Sequence, residues 1–119
     1  MPNTKGFLPL ELIQHYAQHG VEFGASSASE YETIADALWS DPKPPHIHEC
    51  RRSRGDSVRF DSIKDAYSVI DSRRVIRTLF RPIPCISVNE TSRAAMQRAG
   101  QCHGEVDNLS YFHKRCKQW

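Results

Sequence analysis

Two stretches of helical periodicity come before a stretch of alternation, and that order frames the chain. In the first stretch, Leu10, Leu12, Ile13, Tyr16 and Ala17 fall on one apolar arc, the pattern of a helix laid on a core. Pro9 suits the first helical position, where its missing N–H would have had no partner. Gly20 supplies a left-handed stop. The spacing therefore predicts a helix over Pro9–His19, then an extended link as far as Gly24. The second stretch places Tyr31, Ile34, Ala35, Leu38 and Trp39 at i, i+3, i+4, i+7 and i+8, again a core-facing helix. Ser27 and Glu30 precede it as a capping box, in which the serine oxygen accepts the Glu30 N–H and the glutamate reaches back. Asp41-Pro42-Lys43-Pro44-Pro45 ends it, since prolines lack the N–H and force their predecessors into extended conformations.

From position 49 the period changes to two. Short strands are predicted at 49–52, Ser57–Asp61, 66–71 and 75–81, with Ser53-Arg54-Gly55-Asp56 as a hairpin signal between the first two. Val58 and Phe60 point one way, and Ser57, Arg59 and Asp61 the other. Ile76, Thr78 and Phe80 would share one face, with Val75, Arg77, Leu79 and Arg81 on the opposite one. Such strands fit a sheet with helices on one side and ligand or solvent on the other. Pro82-Ile83-Pro84 closes the run. A short helix at 92–99, closed by Gly100, and a final helix capped by Asp107, with Leu109, Phe112 and Cys116 on one face, complete the chain. The predicted class is α+β: N-terminal helices packed on a four-stranded antiparallel β-sheet, with a C-terminal helical extension. The chain reads as a single domain, 1–119, with a core at about 9–82 and an appendage at 83–119.

Composition adds little, since 39% hydrophobic and 25% charged residues describe an ordinary globular chain with a thin core. No apolar run nears the ~20 residues that span a bilayer, and the N-terminus lacks an apolar signal segment, so no membrane partner and a cytoplasmic location are expected. Charge changes the picture more. The total of +2 conceals a first half (1–50) at −5, a middle (51–81) at +5 and a tail (82–119) at +2. A basic sheet could hold a nucleic-acid backbone, or its charges could be neutralised by the acidic first half.

Four groups carry candidate chemistry. His15 and His19 stand four apart at the border of the first apolar arc, and histidines titrate near neutrality, as a general base or acid must. His46, His48 and Cys50 would share one face of a strand; they invite a metal reading, against a plain strand start in solvent. Arg59, Arg77, Thr78 and Phe80 place guanidinium forks and a fixed hydroxyl on strands, groups suited to phosphate and to developing phosphorane charge. Cys85, Cys102, His103 and Cys116 lack paired zinc knuckles. Structural zinc, a disulfide tying the tail to the sheet, and the buried free thiols expected of a cytosolic protein all remain open.

Taken in order, these segments resemble a known superfamily. His15-x3-His19-Gly20-x2-Phe23-Gly24 is followed by Glu30-Tyr31-Glu32, Glu49-x-Arg51, Gly55-Asp56-x-Val58-Arg59-Phe60-Asp61 and Val75-Ile76-Arg77-Thr78-x-Phe80-x-Pro82. The series resembles the barnase/EndoU/colicin/RelE-like nucleases of bacterial toxin type, in the branch found in prophage proteins and contact-dependent-inhibition toxins. It covers roughly 10–82, and departs from that family where Ser72-Arg73-Arg74 replaces a glycine-containing turn. The resemblance implies a metal-independent endoribonuclease that needs no cofactor. It implies His19 as general base or acid, Arg59 as phosphate ligand and Thr78 as transition-state donor, with His15 secondary. Arg51, Arg77 and Phe80 would bind substrate. The implied partners are RNA, with tRNA a candidate, and an immunity or antitoxin protein. The alternatives are a catalytically inactive RNA- or protein-binding member of the same fold, and a zinc-stabilised interaction module.

Overall fold

A computed structural model describes residues 2–118. Helix α1 (Pro9–His19) runs into a 3-10 turn (Gly20–Phe23) and then α2 (Ala28–Ala37). Strands β1 (Ile47–Arg51), β2 (Ser57–Asp61), β3 (Ala66–Ile70) and β4 (Ile76–Phe80) follow, and α3 (Glu90–Arg98) and α4 (Asn108–Cys116) end the chain. The strands pair antiparallel in the order β1-β2-β3-β4. The chain is thus α+β, with helices before and after a four-stranded antiparallel meander. Among the described residues no helix is long and apolar enough to cross a membrane.

The sheet is covered on both faces. On one, Tyr31, Ala35 and Trp39 pack with Phe7 against Ala66, Ile70, Ile76 and Leu79. On the other, Val58, Phe60, Tyr67 and Val69 receive Phe112 of α4. Every residue of β3 is consequently buried. The expectation of one face left to ligand or solvent is corrected: burying Phe112 contributes roughly 1.5–3 kcal/mol, and that needs the second face. Phe112 also joins the appendage to the domain core.

Three local expectations change as well. A register shift between Val69 and Ile70 pairs Val69 with Thr78 but Ile70 with Ile76. That bulge turns Ile76 onto the same face as Leu79 and leaves Thr78 and Phe80 on the α4 face, against the simple alternation expected. Gly20 is helical (φ −56°, ψ −38°) rather than a left-handed stop, and the chain winds on to Gly24, which takes φ 65°. Of the α1 arc, Leu12 and Tyr16 pack, whereas Leu10 and Ile13 stay 68% and 61% exposed.

All four cysteines are paired, Cys50 with Cys116 and Cys85 with Cys102. This corrects the expectation of reduced thiols. It also removes every thiolate from the proposed zinc module and from the His46/His48/Cys50 set. The first bond ties α4 to β1, the tail-to-sheet tie left open in the sequence; the second closes the segment around α3.

Candidate active site

A cleft of about 530 Å³ opens where the end of α1 meets β4 and the C-terminal segment. His19, Glu22, Thr78, Phe80 and Arg81 line one side, and Gln101, His103 and Tyr111 the other. The local sequence explains the first side. Helical winding continues through Gly20, so Glu22 comes under His19, and its Oε2 lies 2.6 Å from His19 Nδ1. The other carboxylate oxygen accepts the Arg81 N–H at 2.7 Å, which fixes the turn to the end of β4. A carboxylate on Nδ1 sets the imidazole tautomer and leaves Nε2 for a ligand. The His19 ring rests against Phe80, with centroids 5.5 Å apart.

Thr78 faces the same cleft, on the α4 face of β4 with Phe80. Its carbonyl accepts from Ser68 Oγ at 2.8 Å, while its hydroxyl has no hydrogen-bond partner among the described residues. Arg81 is exposed, its guanidinium 5.2 Å from the Phe23 ring centroid. Burial pushes the Tyr111 phenol above its ordinary value, with the Arg115 charge pulling the other way, so Tyr111 remains a protonated donor at neutral pH. The cleft thus joins an oriented imidazole, a free hydroxyl, a cation and a protonated phenol. Those are the parts that proton transfer at a phosphodiester requires.

The structure brings His19, Thr78 and Phe80 together but not the remaining candidates. Arg59 lies on the opposite face of the sheet, 4% exposed. Its guanidinium donates to Glu49 Oε1 (2.6 Å), the Leu38 and Ser40 carbonyls (3.0 Å each) and Asp41 Oδ1 (2.9 Å), and it covers Trp39 at 5.0 Å. It is a fastener between α2 and the sheet, with four of its five N–H groups engaged and its side chain buried away from the cleft, which does not place it in the phosphate role the resemblance implies. Arg51 sits on β1, three strands from β4, roughly 14 Å away at about 4.8 Å per strand, and so is not a substrate ligand in this cleft. Arg77 points to α1 and pairs with Glu11 at 3.1 Å. His15 stacks between Phe7 and His19, at 5.4 and 6.1 Å. Its buried Nδ1 has no partner among the described residues. Burial, then the His19 charge, hold His15 below 6.5 against the pull of Glu11, so it is neutral at pH 7 and stands behind the catalytic candidate rather than beside the cleft.

Glu22, Arg81 and Tyr111 escaped sequence reasoning. The spacing His19-x-x-Glu22 was the available signal, but it brings the two into contact only when Gly20 is helical. In the extended link expected, the carboxylate would point away. Part of the basic middle segment is paired: Arg52 and Arg54 with Asp56, Arg59 with Asp41 and Glu49, Arg77 with Glu11 and Asp71. No protein-family model matches the chain, and none of the curated proteins matches it.

Proposed function

We propose that the chain is a metal-independent endoribonuclease of bacterial toxin type, acting in the cleft between α1 and β4. The observation that carries this is the Glu22-oriented His19 facing the same cleft as the Thr78 hydroxyl, which has no partner among the described residues. His19 Nε2 takes the proton of the ribose 2′-hydroxyl, whose oxygen attacks the adjacent phosphorus. Thr78 and Arg81 stabilise the charge that develops on the phosphoryl oxygens, with Arg81 in the role first given to Arg59. The Tyr111 phenol is the proton donor available to the departing 5′-oxygen. The products are a 2′,3′-cyclic phosphate and a free 5′-hydroxyl. Cleavage by these groups takes no metal from the protein, and an immunity or antitoxin protein remains the partner that the family resemblance suggests. Two disulfides fit an oxidising compartment better than the cytoplasm of the sequence-level expectation.

A second reading, an inactive relative that binds RNA, is favoured by the engagement of Arg59 elsewhere. Incubating total RNA and tRNA with the oxidised protein in EDTA separates the two. The enzyme reading expects cleavage in EDTA that falls about 10²–10⁴-fold in His19→Ala, the usual contribution of a general acid or base. Intact RNA with the wild type would sink it.

A further inference from the structure

His103 borders the cleft with neither ring nitrogen left for chemistry. One, Nε2, lies 2.8 Å from Asn108 Oδ1, and the other, Nδ1, accepts the Glu105 N–H at 3.2 Å. Together these bonds fix a single neutral tautomer. The backbone is held as firmly: His103 donates to the Ile83 carbonyl and accepts from the Cys85 N–H, both at 2.8 Å. Its neighbour Cys102 is bonded to Cys85. The ring stacks on Tyr111, centroids 4.4 Å apart and planes 27° from parallel, and the Arg115 guanidinium lies 5.9 Å from the Tyr111 centroid. A ring pinned at both edges can offer a ligand in the cleft only its face.

The two sides of the cleft therefore differ in chemistry. The α1–β4 side carries an imidazole, a hydroxyl and a cation, suited to a phosphate. The tail side carries a flat, preordered aromatic stack, with the Gln101 amide beside it. A nucleotide has the same two halves, and about 530 Å³ lies within the range that encloses small ligands. A base can lie on a ring face only when it is not already stacked within a duplex.

We propose that the face of His103 is the stacking platform for an unpaired base next to the reacting phosphate, which makes the substrate single-stranded. This rests on the ribonuclease reading for the identity of the reacting group. The stack itself does not need catalysis, because base–aromatic stacking tolerates either sugar.

The test uses a fluorescently labelled single-stranded DNA oligonucleotide, which lacks the 2′-hydroxyl and cannot be cleaved, with anisotropy as the readout on the oxidised protein. Wild type should bind the single strand at least about tenfold more tightly than the matching duplex. His103→Leu should lose about tenfold, equivalent to about 1.4 kcal/mol, at the low end for one stacked base; His103→Phe should retain most of the affinity. Equal binding by wild type and His103→Leu, or duplex binding as tight as single-strand binding, overturns the proposal. Should His103→Leu not fold, NMR of the wild type decides. The His103 ring protons should move upfield with adenosine 5′-monophosphate and stay in place with ribose 5-phosphate. No movement, or the same movement with both, overturns it. Absent cleavage together with His103-dependent single-strand binding would remove the enzyme reading and leave the platform standing; cleavage without that dependence would do the reverse.

Discussion

Arg59 makes four hydrogen bonds that join the end of α2 and the following loop to β1, and that decides what its removal should do. Arg59→Ala should lower stability by about 2–3 kcal/mol in urea denaturation. The figure lies below the ~3–5 kcal/mol for breaking a wholly buried pair, because Asp41 and Glu49 stay 71% and 39% exposed. RNA cleavage per folded molecule should be unchanged; a large loss of cleavage with stability intact would return Arg59 to phosphate binding. Arg52 and Asp56 are the opposite case, 5% and 4% exposed and joined by two bonds of 2.7 Å. Asp56→Ala leaves a buried guanidinium without its counter-charge, and about 3–5 kcal/mol should be lost. The pair also has a pH signature. The Arg52 hydrogen bonds hold the Asp56 carboxyl below its ordinary 3.8. A carboxyl depressed by folding contributes fully above its unfolded value and fades as pH falls through the lower, folded one. Wild type should therefore lose stability more steeply than Asp56→Ala as the pH drops below about 3.8, and parallel acid profiles would show the pair to be weak. His19 and Thr78 could be read from sequence because helix end and strand alternation place them directly. Arg59 could not, since alternation says which side of a strand a residue takes but not what lies over that side.

Helices α2 and α4 were legible because their caps are local chemistry. Ser27 accepts the Glu30 N–H at 3.1 Å and Asp107 the Ser110 N–H at 2.7 Å, bonds made within four residues. The Glu30 side chain departs from the expected box, accepting from Ser26 Oγ at 2.6 Å. The bulge in β4 was hidden, because it answers to two packed faces rather than to the strand's own pattern: Ile76 and Leu79 are both needed under α2, and Thr78 and Phe80 are left for the other side. The turn after α1 was hidden for a similar reason. A glycine after a helix reads as a left-handed cap, yet a Cβ at Gly20 would stand 2.6 Å from a Tyr16 ring carbon. Close approach of the ring, not positive φ, calls for glycine there. Gly20→Ala should accordingly cost about 1–3 kcal/mol, as overpacking does. It should also reduce cleavage beyond the loss of folded protein, because moving the turn moves Glu22 away from His19. Thermal denaturation and initial rates measured on the same sample check both. A variant as stable and active as wild type would mean that Tyr16 can swing aside and that the turn does not set the dyad.

At the scale of the whole molecule, the two disulfides hold different things, and breaking them one at a time should show it. Cys50–Cys116 spans 66 residues and holds α4, whose Phe112 fills the second core. Cys85–Cys102 spans 17 residues and encloses α3, a helix with no buried residue. Loop entropy alone assigns about 4 kcal/mol to the longer closure and about 3 kcal/mol to the shorter, which would make the two variants look much alike. Their surroundings differ more than those figures. Without Cys50–Cys116, α4 can lift from β2 and β3, so Cys50→Ser/Cys116→Ser should lower the global urea midpoint and speed hydrogen exchange throughout β3. Without Cys85–Cys102, the sheet and α2 keep every core contact. What loosens is 85–103, held otherwise by two hydrogen bonds of 2.8 Å between His103 and the 83–85 backbone, by Arg93 on the Cys85 and Val88 carbonyls, and by the His103 ring against Asn108 and Tyr111. Cys85→Ser/Cys102→Ser should therefore exchange rapidly in 85–103 and slowly in β3. It should weaken RNA cleavage by loosening the tail side of the cleft while His19, Glu22 and Thr78 stay in place. The decisive comparison is β3 exchange in the two double mutants, because local opening and global unfolding differ there by the full stability of the core. Equal acceleration in both would mean that α3 and its disulfide belong to the cooperative core, and that the tail side of the cleft is as rigid as the sheet.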